Sequence, residues 1–357
     1  MPSYADRLEM LKKIERRRKS RVLLYVTGDR PGLETVIHQE TYDFFVNLLD
    51  EIGPVDRISL ILYTRGGSTL AGWAIANLIQ HFCDEFEVII PSKAHSTGTL
   101  MALGAKHIVM TKQATIGPID PSVNSPLNPN IPGAAPNAHV PVSVEAVNGF
   151  IELAKSNAAS LDGHAVKDLL IQLSEKVHPL VLGEVYRSKS QIQMLATKML
   201  SKSGVAASKV KSIVSFLCSE SGSHDYTIHR REAIDLGLQI EKPINEFYKE
   251  IKALYDNFAA ELKLTERWNP IEEIGTEPEL HYKNKRCLIE TTTGGSYYFY
   301  TEGKFSKVNA QLPLPMPMPM PVPPNAVPLV PMGVQFQDNR IFEGWKYEKP
   351  TNPQSSN

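Results

Sequence analysis

Four short apolar runs, at residues 22–27, 58–63, 86–90 and 107–110, alternate with amphipathic stretches at 40–52, 69–82 and 96–104. Runs of four to six Val, Ile, Leu, Phe and Tyr residues predict strands, and apolar residues three and four apart predict helices. Strands alternating with helices predict βαβ units and a mostly parallel sheet. A charged helix is expected before them at 4–20, with Leu8, Leu11 and Ile14 along one side. Its basic residues Lys12, Lys13, Arg16, Arg17, Arg18 and Lys19, with Arg21 just beyond, read as a solvated face. Residues 118–141 hold seven prolines, which continue neither ladder nor helix, and predict a loop. Helical periodicity resumes at 144–159, 164–176, 179–199 and 207–217. An irregular turn at 219–226, a short helix at 230–236 and an amphipathic helix at 245–262 follow.

After residue 269 the pattern becomes that of strands. Residues 286–293 and 296–300 flank Gly294-Gly295 and predict a β-hairpin, because glycine supplies the positive φ such turns need. Residues 312–332 (LPLPMPMPMPVPPNAVPLVPM) predict an extended, polyproline-like segment. They carry no charge, so rather than serve only as a stiff linker they are expected to pack against the core or a neighbouring copy. The chain therefore divides into a charged helix at 1–20, an α/β core at 21–245, a C-terminal helix at 246–268, a β-hairpin extension at 269–311, the Pro/Met-rich segment at 312–332 and an aromatic-containing tail at 333–357.

Composition narrows the function. Of 357 residues 42% are apolar and 22% charged, enough for a sizeable core. Lys+Arg is 38 against Asp+Glu 39, so no nucleic acid partner is expected. Three scattered cysteines, Cys83, Cys218 and Cys287, argue against a disulfide framework and for a reducing, cytoplasmic setting. No Cys/His spacing resembles a zinc site, and no metal or cofactor is expected. No secretory signal is expected, because residues 1–21 lack an apolar h-region. No apolar run reaches the roughly 20 residues of a membrane span, and association with a membrane surface stays open.

Three segments could carry chemistry. Tyr63-Thr64-Arg65-Gly66-Gly67-Ser68 joins a strand to a helix, and paired glycines there let backbone N–H groups approach an anion. Lys93-Ala94-His95-Ser96-Thr97-Gly98-Thr99 does the same and sets a serine on a tight turn. A serine at a helix start is ordinarily an N-cap; the alternative is a nucleophile with the following N–H completing an oxyanion site. Gly222-Ser223-His224-Asp225-Tyr226 offers a base and an orienting carboxylate, or simply a polar surface turn.

Together these segments resemble the ClpP/crotonase-like serine peptidases. Ser96-Thr97-Gly98 followed by Leu100 to Ala105 is similar to the nucleophile helix of ClpP and of the signal peptide peptidase A group. Asp225 precedes Glu232, Ala233 and Gly237 with a spacing similar to that after the ClpP triad aspartate. Ala114-Thr115-Ile116-Gly117-Pro118-Ile119-Asp120-Pro121, residues 191–196 and residues 224–228 resemble recurring segments of the serine dehydrogenase proteinase family. The resemblance covers residues 20–245. It implies a ClpP/crotonase-like fold, a peptide or protein substrate, a homo-oligomer, and hydrolysis through an acyl-enzyme on Ser96. Gly66 or Gly67 and Thr97 would supply the oxyanion N–H groups. One departure stands out: residues 116–121, where a ClpP-type base histidine belongs, contain none. His224 with Asp225, then Lys155, then His139 remain as bases. The missing histidine equally fits a catalytically inactive scaffold of the same fold that binds a protein partner. Acyl-CoA chemistry in the crotonase manner is a weaker third reading, because such sites usually carry glycine where Ser96 stands.

Overall fold

The computed structural model describes residues 2–119, 122–131, 133, 138–157, 163–220, 223, 225–309 and 334–350. The 312–332 tract, Asp120 and His224 lie outside the described residues.

The chain begins α1 (Tyr4–Arg18), β1 (Arg21–Thr27), α2 (Tyr42–Ile52), β2 (Val55–Tyr63), α3 (Thr69–His81), β3 (Cys83–Ile90), β4 (Lys93–Ala94), α4 (Thr97–Leu103), β5 (His107–Met110) and β6 (Thr115–Ile116). It continues with β7 (Ser122–Val123), β8 (Val142–Ser143), α5 (Val144–Asn157), α6 (Gly163–Lys176), α7 (Pro179–Lys202), α8 (Ala207–Ser215), β9 (Ile228–His229), α9 (Arg230–Asp235), β10 (Ile240–Glu241) and α10 (Asn245–Glu261). It closes with α11 (Pro270–Ile274), β11 (Glu279–Thr291), β12 (Gly295–Asn309) and β13 (Val334–Glu348).

Eight strands form one sheet in the order β10-β5-β3-β2-β1-β11-β12-β13. The first five run parallel, as the strand–helix alternation predicts. Their side chains alternate between two buried faces, which is why they read as continuous apolar runs. Leu23, Tyr25, Leu60, Leu62, Val88 and Ile90 join the cluster that contains residues of α2, α3, α4 and α7. Val22, Leu24, Val26, Ile61, Tyr63 and Ile89 join the cluster of α1 and α10. On α10, Phe247, Ile251, Leu254 and Phe258 recur at three and four residues and make the stripe that covers this face.

Two features depart from the pattern-based expectation. The hairpin after residue 269 is longer than expected and continues the central sheet, because β11 pairs antiparallel with β1. Residues 334–348, expected as a tail, form strand β13 along β12. Backbone pairing and cross-strand ring contacts such as Phe299–Trp345 and Phe305–Phe336 hold it, and most of its side chains are exposed, so no apolar periodicity announced it.

α1 also brings charge into the interior: Arg7 lies on its buried side, and Arg18, of the run expected to be solvated, is tied to the sheet. Arg7 is fully buried; its Nε and Nη2 donate to the two Glu290 carboxylate oxygens of β11 at 2.8 and 2.6 Å, and Nη1 donates to Asn257 at 2.9 Å and to Glu261 of α10. Burial opposes the guanidinium charge, but Glu290 and Glu261 more than offset it and keep Arg7 protonated above its ordinary range. Arg18 donates to Glu87 of β3 and to Glu241 of β10, and Arg17 to Glu250 of α10. These pairs were invisible to the sequence because their partners lie about 70 to 280 residues away. Among the described residues no helix is long and apolar enough to cross a membrane.

Arg7→Met should leave Glu290 buried without its cation and cost about 3–5 kcal/mol. Urea denaturation checks this, and a loss below about 1 kcal/mol, the scale of an exposed pair, would show that the network carries little stability.

Candidate active site

β2 ends in the glycine turn. Gly66 and Gly67 have φ of 116° and 143°, in the region that favours glycine. A Cβ on Gly67 would lie 2.3 Å from the Ile37 carbonyl oxygen, because the chain around Ile37 runs alongside. Ile37 N–H donates to the Gly66 carbonyl at 2.8 Å, and Ser68 N–H donates to the Ile37 carbonyl at 2.8 Å. Ser68 then caps α3, its Oγ accepting from Ala71 N–H at 3.3 Å.

The second turn carries the serine. Ser96 is half-buried and has φ 52° and ψ −115°. Among the described residues only Lys19 and Lys263 share a positive φ without being glycine, and both follow helix ends. Ser96 makes no side-chain cap bond. A serine merely capping a helix takes an extended backbone and accepts from the first turn; this one does neither. The helix that follows is held tightly. Gly98 of α4 sits so close to Thr64 that a Cβ would lie 2.4 Å from the Thr64 methyl. The Thr99 hydroxyl lies 2.9 and 2.8 Å from the Ala94 and Gly117 carbonyls, to either of which it can donate, and anchors the helix from the other side.

Thr64 joins the two turns. Its N–H donates to the Lys93 carbonyl at 3.1 Å, and its carbonyl accepts from His95 N–H at 3.1 Å. Its Oγ1 accepts from the Thr27 hydroxyl at 2.6 Å and from Gly66 N–H at 2.9 Å. The Ser96 Cβ consequently lies 2.8 Å from where a Gly66 Cβ would be. Gly66 N–H is thus engaged by the Thr64 hydroxyl. The N–H groups of Gly67 and Thr97 have no acceptor among the described residues. The Thr97 hydroxyl donates to the Gly67 carbonyl at 2.7 Å and ties these two residues together.

β4, β6 and β9 form a small sheet with Lys93 opposite Thr115 and Thr115 opposite His229. β4 and β6 are parallel and β9 antiparallel, so Ser96, Gly117 and Asp225 leave this sheet at the same end. Asp225 is exposed, and its N–H donates to Ser223 Oγ at 3.2 Å. The Tyr226 hydroxyl donates to Glu232 of α9 at 2.6 Å, fastening the turn beside it, and this bond raises the tyrosine pKa. Lys155 is exposed on α5 and paired with Glu152 at 2.8 Å. It shares with Ser143, Lys189, Ser219 and Ser223 an open cleft of about 780 Å³. His139 is half-buried with its Nδ1 2.9 Å from the Asn128 carbonyl. Among the described residues none of Asp225, Lys155 and His139 hydrogen-bonds to Ser96. His95 Nε2 lies 2.9 Å from Thr115 Oγ1, with its ring over Gly117. Lys93 pairs with Asp29 at 2.8 Å, and Tyr63 donates to the same carboxylate at 2.7 Å. No group of three or more His, Cys, Asp or Glu among the described residues could hold a metal.

The sequence reading missed Thr64, Thr27, Ile37 and Thr99. Their roles lie in contacts between segments, and only Thr99, in the run Ser-Thr-Gly-Thr, carried a local hint.

The model of the ClpP-like SDH-type serine proteinase family matches residues 2–136. Gly66, Gly67, Ser96 and Thr97 fall inside that span, and all three candidate bases fall beyond it. One uncharacterised protein of Methanocaldococcus jannaschii is 30% identical over 203 residues, covering 57% of this chain and 60% of its own length. A second from the same organism is 27% identical over 263 residues, covering 70% and 76%. The chain thus spans less than two thirds of the first relative. Among solved structures, a serine-to-alanine mutant of the 1510-N membrane-bound stomatin-specific protease matches 60% of this chain and 79% of that one, at 18% identity and a TM-score of 0.35. ClpP1 from Listeria monocytogenes matches 66% and 98%, at 14% identity and a TM-score of 0.34.

Strain at Ser96 is measurable. Ser96→Gly should be more stable than Ser96→Ala by about 1 kcal/mol or more, because only glycine relaxes at this φ and ψ. Thermal unfolding of the pair checks it, and equal stabilities would mean that the turn is unstrained. Gly66→Ala should both lower stability and displace Ser96, since its Cβ has no room.

Proposed function

We propose that this chain is a serine peptidase that hydrolyses peptide bonds through an acyl-enzyme on Ser96. The observation that carries the reading is the serine itself: a strained, half-buried strand-to-helix residue beside two N–H groups that have no acceptor among the described residues. Strain of this kind costs about 1–3 kcal/mol and persists where surrounding structure imposes it. A turn of this type raises a nucleophilic oxygen above the backbone, as in other serine hydrolases. The family match over residues 2–136 supports the same chemistry.

In the mechanism, Ser96 Oγ attacks the scissile carbonyl carbon as a general base takes its proton. The carbonyl π electrons move onto oxygen, where Gly67 and Thr97 N–H groups stabilise the charge. The tetrahedral intermediate collapses, the C–N bond breaks, and the protonated base returns its proton to the leaving amine. Water, deprotonated by the same base, then releases the acid and restores Ser96. His224 is the base of this proposal, with Asp225 orienting it. Its support is the end of the small sheet shared by Asp225 and Ser96. The substrate is an extended peptide or protein segment, and several copies of the chain assemble to enclose it.

An inactive scaffold is the second reading. It is favoured by the absence, among the described residues, of any candidate base hydrogen-bonded to Ser96.

A fluorophosphonate probe separates the two. Labelling that disappears in a folded Ser96→Ala variant supports the peptidase. No labelling of the wild type supports the scaffold. With His224 as base, the labelling rate should rise with pH through the neutral range, because protonated imidazole accepts no proton. A rise confined to the alkaline range that Lys155→Ala abolishes would transfer the role to Lys155.

A further inference from the structure

Gly67 bridges to Ile37 in the first of the two turns, and Ser68 N–H beyond it donates to the Ile37 carbonyl at 2.8 Å. Gly67 is exposed, has no Cβ and sits at φ 143°. Two clamps flank it. On one side, the Gly66 carbonyl accepts from Ile37 N–H. In a planar trans peptide the carbonyl and the next N–H point in opposite directions, so this bond aims Gly67 N–H away from Ile37. On the other side, the Gly67 carbonyl has one hydrogen-bond partner among the described residues, the Thr97 hydroxyl at 2.7 Å.

That hydroxyl cannot swing freely. Thr97 is fully buried, and its methyl occupies the space a Cβ on Gly72 would need, 2.3 Å away. A β-branched side chain wedged in this way is held in one rotamer. Thr97 therefore does two things: its backbone N–H is one anion donor, and its side chain holds the residue that supplies the other.

Resting on the hydrolase reading of Ser96, we infer that the Thr97 side chain is a positioning residue that sets the separation of the Gly67 and Thr97 N–H groups. Without it the Gly67–Ser68 peptide keeps only the Ser68 N–H bond to the Ile37 carbonyl and loses its tie to α4, and the two donors no longer converge on one oxygen. Donor placement matters most in the transition state, where charge develops, so its loss should lower kcat far more than it raises KM.

The test compares Thr97→Val, which keeps the branched shape and removes the donor, with Thr97→Ser, which keeps the donor and removes the methyl. The readouts are the second-order rate of Ser96 labelling by a fluorophosphonate, kcat and KM on a fluorogenic peptide, and Tm. The valine variant should keep its Tm within a few degrees and lose about 10- to 100-fold in labelling rate and kcat, with KM little changed. The serine variant should lose more Tm yet recover most of the rate. Wild-type rates in the valine variant would overturn the inference and leave the hydrolase reading standing. Rates that fall in step with Tm in both variants would also overturn it, by showing a purely structural role. Failure of the wild type to label at all would instead remove the hydrolase reading, and the inference with it.

Discussion

The geometry of the candidate site depends on how one buried threonine fills the junction between β2 and α4. Thr64 accepts from Thr27 on the neighbouring strand and from Gly66 in the turn that follows, while its backbone pairs with Lys93 and His95 just before the serine. Its methyl leaves room for glycine alone at position 98. The helix carrying Ser96 is thereby held against the end of β2, and Ser96, which joins that helix to β4, has a positive φ.

The same arrangement gives the two glycines different surroundings. Gly66 lies against Ser96 and has its N–H bound to Thr64; Gly67 is exposed and its N–H has no acceptor among the described residues. The difference follows from which neighbour each peptide plane meets, Thr64 in one case and Ile37 in the other. Ile37 itself is fully buried, so the segment that orients the turn is anchored in the core.

Far from the serine, buried ion pairs tie the sequence-distant parts of the chain to the sheet. Arg7 bridges α1, α10 and β11, and Arg18 bridges α1, β3 and β10. Each ion is costly to bury alone, so these contacts specify how the N-terminal helix docks as much as they stabilise it. Strand β11 completes the join by pairing with β1, which makes the C-terminal strands part of the central sheet.

Sequence alone determined the features that rest on local chemistry. Apolar runs of strand length and helical spacing marked the parallel sheet, because both faces of those strands are buried. Gly66-Gly67 and Ser96 were legible because few residue types suit such turns. Only the tertiary structure decided the rest. Strand β13 depends on cross-strand pairing with β12, and its exposed side chains carry no burial signal. The partners of Arg7 and the contacts of Thr64 join segments distant in the chain, and residue type says nothing of which partner is chosen. The different surroundings of Gly66 and Gly67 were hidden for the same reason: adjacent and chemically identical, they differ only in what the folded chain places beside them.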